Sequence, residues 1–208
     1  MEYHFIAIEG NIGSGKTTLA HRLATHYNGK LILEQFVDNP FLAKFYEDRD
    51  RYAFPVELSF LAERYNQLKA QLLNRDLFQE IIISDYVITK SQLFARANLN
   101  EDEYDLFQRM AEIMKSNLPK PDLIIYLHAP IVKLQQQIRK RGRPYEQQIR
   151  DEYLEEIGAA YSAYLEQEKS RILHIDTTLL DSKIDEDLAQ LIAFLDGGPI
   201  TSQAMFLK

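Results

Sequence analysis

The stretch GNIGSGKTTL, Gly10 to Leu19, follows the apolar run YHFIAIE and leads into AHRLATHY, whose apolar residues recur at helical spacing. Gly10, Gly13, Gly15, Lys16 and Thr17 fit the pattern G-x-x-x-x-G-K-[ST] between a strand and a helix. In that context the glycines let successive backbone N–H groups turn inward around an anion, and the helix that follows adds its positive end. The loop residues Gly10, Asn11, Gly13, Ser14, Gly15, Lys16, Thr17 and Thr18 are therefore expected to hold the phosphates of ATP or another nucleoside triphosphate. Lys16 would reach the outer phosphates, and the Thr17 hydroxyl would ligate Mg²⁺. No N-K-x-D base-reading motif is present, which argues against a GTPase.

Four more segments rich in β-branched residues, KLILEQ, EIIISDY, DLIIYLHA and RILHID, read with YHFIAIE as five strands buried on both faces. Amphipathic stretches over residues 52–75, 101–116 and 146–170 read as helices. Strands alternating with helices predict an α/β fold of three layers, a five-stranded parallel sheet covered on both faces. The segment from Asn39 to Arg75 is too long for a simple crossover and reads as two helices that wall the sheet. Residues 1–196 form one expected domain. After the Gly-Gly-Pro break, 197–208 read as a tail with Met205 and Phe206 as a candidate contact to another subunit.

Composition narrows the function. A net charge of −7 lacks the positive surface that a nucleic-acid backbone requires, so a small-molecule partner fits better. The absence of cysteine removes disulfides, thiolate zinc sites and a cysteine nucleophile together. The five histidines are scattered without ligand spacing. The N-terminus does not read as a signal peptide, and no run reaches the roughly 18 apolar residues of a membrane span. The chain reads as soluble and cytoplasmic.

Two further blocks, KLILEQFVDNPFLAKFYEDRDRYAFPVELSFLAERYNQL and RKRGRPYEQQIRDEYL, follow GNIGSGKTTL in order. Together the three resemble the deoxynucleoside kinase family, particularly its bacterial deoxyadenosine- and deoxyguanosine-kinase-like branch. The resemblance implies a P-loop kinase fold with a short lid over residues 139–147, a homodimer, and ATP- and Mg²⁺-dependent phosphorylation of a deoxynucleoside 5′-hydroxyl. It implies that Glu34 is the general base on that hydroxyl and that Tyr46 and Glu146 hold the 3′-hydroxyl. Arg64 and Phe94 would flank the base, Arg141 and Arg143 would close over the ATP phosphates, and Ile12 and Val56 belong to the same acceptor pocket. These roles agree with physical expectation: phosphoryl transfer asks for positioning and for cations around the moving charge, and a loop with Arg139, Lys140, Arg141 and Arg143 beside Gly142 can act as a mobile positive clamp.

Two departures from the family pattern stand out. Members usually carry an acidic residue, then arginine, then serine or threonine after the third strand. In IIISDYVITKSQLF, aligned on Phe94, Ser84 takes the acidic position and Asp85 the arginine's. Asp85 is then the candidate carboxylate on the Mg²⁺ side with Thr17, and Lys90 or a lid arginine the candidate substitute cation. At the base, Glu57 stands for the family's glutamine and Lys90 for an aspartate. An ionised carboxylate only accepts hydrogen bonds, which suits the adjacent donors of guanine and favours a guanine-like purine. Alternatives are neutralisation of Glu57 by Arg64 or Lys90, a catalytically weak nucleotide sensor, and a kinase of another small alcohol such as a pterin.

Overall fold

The computed structural model describes residues 3–35, 39–73, 80–180, 184–200 and 202–206. β1 (Phe5–Gly10) is buried along its whole length, as a strand with neighbours at both edges and layers on both faces must be. The chain continues through α1 (Lys16–His26), β2 (Lys30–Ile32), α2 (Leu42–Glu47), α3 (Arg49–Leu73), β3 (Ile82–Ser84), α4 (Lys90–Asn98) and α5 (Glu101–Lys115). Then come β4 (Leu123–His128), α6 (Ile131–Arg141), α7 (Asp151–Gln167), β5 (Arg171–Asp176), α8 (Ile184–Asp196) and β6 (Gln203–Phe206). The strands pair in the order β2-β3-β1-β4-β5-β6, every pair parallel.

Side-chain alternation divides the core into two layers around this sheet. Ile6 and Ile8 of β1 pack with Leu19 and Leu23 of α1 and Leu191 and Leu195 of α8. Phe5 and Ala7 point the other way, onto Leu61 and Leu68 of α3 and Phe107 of α5. Further along the same face, Ile124 and Tyr126 of β4 meet Ile157, Tyr161 and Leu165 of α7. Each such large apolar side chain withdrawn from water contributes about 1.5–3 kcal/mol, which is why the paired faces fix the register.

The expected two helices between residues 39 and 75 are α2 and α3, separated at Asp48; Arg75 lies outside the described residues. α5 opens on a capping box in which Asn100 and Glu103 satisfy each other's backbone N–H, a local signal already present in N-E-D-E. The helix expected from residue 146 begins instead at Asp151: Glu146 belongs to a short 3₁₀ turn, Pro144–Glu146. The acidic pair Asp151 and Glu152 in the first turn suits the positive end of α7.

The end of the chain departs from expectation. After Gly198, at φ 128°, Ile200 is buried and donates its N–H to the Tyr3 hydroxyl at 2.7 Å. Gln203–Phe206 then adds a sixth strand to the five expected, pairing with β5. A four-residue edge strand shows little alternation of its own. Its order comes from the open edge of β5, which sequence periodicity does not report. Met205 is exposed there, and the Phe206 side chain lies outside the described residues. Among the described residues no helix is long and apolar enough to cross a membrane.

The topology also places the crevice. From β1 the chain goes out to β2 at the sheet edge, returns to β3, and later crosses to β4 on the other side of β1. In such sheets ligands bind beyond the carboxyl ends of the strands where the winding reverses. Gly10 ends β1, and Glu34 and Asp85 lie just past the ends of β2 and β3.

Candidate active site

The loop after β1 forms a nest at the head of α1. Gly15, with φ 96°, is the residue from which α1 starts, a left-handed conformation that costs an L side chain but not glycine. Gly13 has φ 82°, and a Cβ there would stand 2.8 Å from the Leu134 carbonyl oxygen of α6. Lys16 folds over the loop and donates to the carbonyls of Gly10 and Asn11, each at 2.8 Å. Burial, with the neighbouring Lys90 second, lowers its ammonium to about 8. Asn11 fastens the loop to α7 through Nδ2 to the Leu154 carbonyl, 2.7 Å. Ser14 Oγ is buried with no hydrogen-bond partner among the described residues.

Asp85 follows β3 directly and joins two segments. Its Oδ2 accepts from the Thr17 hydroxyl at 2.6 Å, and its Oδ1 accepts the Glu34 backbone N–H at 2.8 Å. Ser84, at the position of the family's acidic residue, instead donates its hydroxyl to the Tyr86 carbonyl. A hydroxyl and a carboxylate oxygen in contact beside a phosphate nest are a donor set that fits Mg²⁺, which takes few protein oxygens and keeps several waters.

Glu34 is paired with two buried cations in the cleft. Its Oε1 takes Arg64 through Nε at 2.8 Å and Nη2 at 2.6 Å, and its Oε2 takes Lys90 Nζ at 2.5 Å. Burial alone would raise this carboxyl, but Lys90 and Arg64 outweigh it and hold it well below the usual carboxylate range. Arg64 also donates Nη1 to Ser91 Oγ at 2.7 Å and lies over the Phe60 ring. Ser91 and Glu34 are the acceptors for this arginine, and Lys90 from the start of α4 brings a second cation to Glu34.

Glu57, on α3, is not neutralised by either cation. Its Oε1 accepts from Asn98 Nδ2 at 2.5 Å, and Oε2 has no hydrogen-bond partner among the described residues. Burial pushes its carboxyl up to about 7, against the lowering pull of Asn98 and Arg64. Burial thus favours a proton on Glu57, and the protonated acid donates as well as accepts.

The lid residues occupy the end of α6 and the turn after it, with Gly142 at φ 71° between them. Arg141 contacts Glu146 Oε2 through both Nε, at 2.9 Å, and Nη2, and Arg143 reaches Glu146 Oε1 at 3.1 Å. Glu146 is itself buried. Tyr46 stacks on Tyr145, ring centroids 5.9 Å apart and planes within 22°.

One cavity of about 400 Å³ gathers this chemistry. Ile12, Gly13, Gly15, Lys16, Thr17 and Thr18 line its donor end, and Glu34, Tyr46, Val56, Glu57, Arg64, Asp85, Lys90, Phe94, Arg141, Arg143 and Glu146 the remainder. Gly10, Asn11 and Ser14 support the loop without lining the cavity. Lys140 of the expected clamp lines it too, and Leu42, Phe45, Phe60, Gln137, Tyr145 and Tyr153 also line it and were not foreseen. Most are aromatic or apolar, with no pattern in the chain to separate them from core. Glu9 was missed as well. Fully buried in β1, it accepts from Val87 N–H and the Tyr161 hydroxyl, each at 2.6 Å. A lone acid inside YHFIAIE was its signal.

A parallel sheet with a phosphate nest, a hydroxyl–carboxylate pair and a charged acceptor pocket defines a P-loop phosphotransferase acting on a small molecule. The sequence profile of the deoxynucleoside kinase family matches residues 6–193, and the chain belongs to that family. It is 38% identical over 163 residues to a deoxyguanosine kinase of Bacillus subtilis (strain 168), covering 78% of this chain and 79% of that one. It is 30% identical over 194 residues to a deoxyadenosine kinase of Dictyostelium discoideum, covering 92% and 79%. A structure of deoxyadenosine kinase from M. mycoides with bound dATP superposes with a TM-score of 0.80 over 93% of this chain and all of that one, at 24% identity, which speaks for the fold.

Proposed function

We propose that this enzyme transfers the terminal phosphoryl group of ATP, with Mg²⁺, to the 5′-hydroxyl of a purine deoxynucleoside, guanine-like bases being favoured. The observation that carries the reading is the single cavity joining the nest and Thr17–Asp85 at one end to Glu34 and Glu57 at the other. The acceptor sits with its 5′-oxygen at Glu34, which orients the hydroxyl and takes its proton. Tyr46 and Glu146 receive the 3′-hydroxyl, Phe94 and Arg64 flank the base, and Lys16, Arg141 and Arg143 attend the phosphates. Mg²⁺ held near Thr17 and Asp85 would neutralise charge on the phosphates. The cation that the family's arginine would supply comes from Lys90. The base preference is supported by Glu57, which in its ionised form accepts from adjacent guanine donors, and by likeness to a deoxyguanosine kinase. A cytoplasmic homodimer belongs to the same reading, with sedimentation as its check.

The test is ATP turnover with each of the four deoxynucleosides, alongside Glu34→Gln. Phosphorylation of deoxyguanosine that this substitution abolishes is expected. Faster phosphorylation of deoxycytidine or thymidine would overturn the base assignment, and ATP binding without turnover on any acceptor would overturn the enzyme assignment.

A further inference from the structure

On the reading that the cavity takes a purine deoxynucleoside, Glu57 is one of the groups that meet its base. Its side chain is almost wholly buried, at 3% exposure, yet it lines the acceptor cavity. The two carboxyl oxygens are treated differently. Oε1 is held by Asn98 Nδ2, which also lies 3.2 Å from the Tyr153 hydroxyl. Oε2 is left without a hydrogen-bond partner among the described residues. A buried polar atom of this kind is expensive unless something supplies its partner, and a base entering the cavity can do so. Asn98 is the last residue of α4 and does not line the cavity. Its amide meets the cavity lining at Glu57 and, at the longer distance, at the Tyr153 hydroxyl.

We propose that Asn98 is a positioning residue for base specificity: it seats one oxygen of Glu57 and leaves Oε2 to meet the base, accepting from guanine when ionised and donating to adenine when neutral, so that the preference between the two purines shifts with pH. Guanine presents N1–H and a 2-amino group, two donors that match an acceptor. Adenine presents a bare ring N1, which accepts from the O–H of a carboxylic acid protonated at Oε2.

The groups facing Glu57 come from four segments. Arg64 lies two turns along α3, turned toward Glu34 and Ser91. Arg49, at the start of α3, lies over the Tyr153 ring at 4.8 Å. Glu34 follows β2, Asn98 ends α4, and Tyr153 comes from α7. Arg64, Arg49 and the Asn98 amide favour the ionised form, whereas burial and Glu34 favour the neutral one. The balance falls at about 7, inside the range where the enzyme can be assayed.

The experiment measures kcat/KM for deoxyguanosine and deoxyadenosine on the full chain between about pH 6 and 8.5, for the parent, Glu57→Gln and Asn98→Ala. The deoxyguanosine to deoxyadenosine ratio of the parent should climb with pH by up to about tenfold per unit, the slope of one exchanged proton. Glu57→Gln should give a flat ratio. Without the amide that favours ionisation, Asn98→Ala should move the crossover to higher pH, whereas a merely structural role would slow both substrates and leave the crossover in place. Asn98→Ser serves should the alanine variant not fold. A flat ratio in the parent, or a pH-dependent ratio surviving in Glu57→Gln, overturns the proposal. An unmoved crossover in the Asn98 variants removes Asn98 from it. If no deoxynucleoside is turned over, the functional reading fails, and calorimetry still decides this one. Deoxyguanosine binding at pH 7 should release protons and deoxyadenosine binding take them up, read from buffers of different ionisation enthalpy. Equal proton exchange for both, or binding of neither, overturns it.

Discussion

Replacing Lys90 with methionine keeps an unbranched apolar stem and removes the charge that faces Glu34. In the structure the two side chains are 6% and 10% exposed, and Nζ stands 2.5 Å from Oε2. Deleting one partner of a buried ion pair typically costs about 3–5 kcal/mol, because the other charge is left uncompensated. Two features put Lys90→Met at the low end. Arg64 still holds Glu34 Oε1 through two nitrogens, and Lys16, whose ammonium is lowered by Lys90, is relieved of a like charge. A loss of about 3 kcal/mol follows, a shift of about 1 M in the urea midpoint for a slope of about 3 kcal/mol per M. Activity should suffer more specifically. If Lys90 supplies the cation that the family's arginine would give, kcat at saturating ATP and Mg²⁺ falls by about 10²–10³, as for removal of one preorganised charge at a reacting group. Coupled ADP release measures it, with Lys90→Arg as the charge-restoring control. A Lys90→Met enzyme within about threefold of the parent kcat, or one whose whole defect lies in acceptor KM, would refute the assignment of Lys90 to the transition state.

Three further outcomes are expected. Because Glu57 is raised from 4.5 to about 7, the folded protein binds its proton more tightly than the unfolded chain; the associated stability is full below about pH 4.5 and lost as pH rises through 7, about 3 kcal/mol in all. Urea midpoints at pH 5 and 8.5 should show that component in the parent and lack it in Glu57→Gln, and equal slopes with pH in the two proteins would contradict it. Asp85→Asn, which removes the carboxylate from Thr17 and from the Glu34 N–H, should raise the Mg²⁺ concentration for half-maximal rate by about tenfold or more; an unchanged Mg²⁺ titration at fixed ATP would exclude Asp85 from the metal side. Gly13→Ala meets both the left-handed backbone and the Leu134 carbonyl at 2.8 Å, so a stability loss of at least about 1–2 kcal/mol and a raised ATP KM are expected. Denaturation and ATP titration check both.

What the sequence made legible is what local rules govern. The nest was readable because glycine spacing, a preceding apolar strand and a following helix are neighbours in the chain. The central strands were readable because burial on both faces writes unbroken β-branched runs. β6 was not, since its order is supplied by β5. The residues that the resemblance implies for the acceptor pocket line one cavity, but their charge states could not be read from the chain. Lys90 and Glu34 are 56 positions apart, and no spacing rule joins the start of α4 to the end of β2. Glu57 was read as an ionised carboxylate because that is its state in water. Its raised affinity for a proton arises only when α3, α4 and α7 close around it. Asn98 had no signal at all, because an asparagine near a helix end is ordinarily a capping or surface residue.

The pairing at Glu34 bears on how a carboxylate so weakly basic can serve the proposed transfer. A base that removed the 5′-proton before attack would need a higher affinity for it than Lys90 and Arg64 permit. Phosphoryl transfer through a loose transition state makes no such demand: bonding to the leaving group is largely broken while the attacking hydroxyl still carries its proton, and the hydroxyl becomes acidic as the new bond forms. Orientation and charge around the moving phosphoryl matter more than ground-state basicity. The two cations that depress Glu34 also fix its position and stand at the acceptor side of the nest. On the proposed reading, in which Asp85 takes the arginine's place and Lys90 supplies its charge, positive charge in the cleft is kept and its anchor moves from a strand end to a helix start.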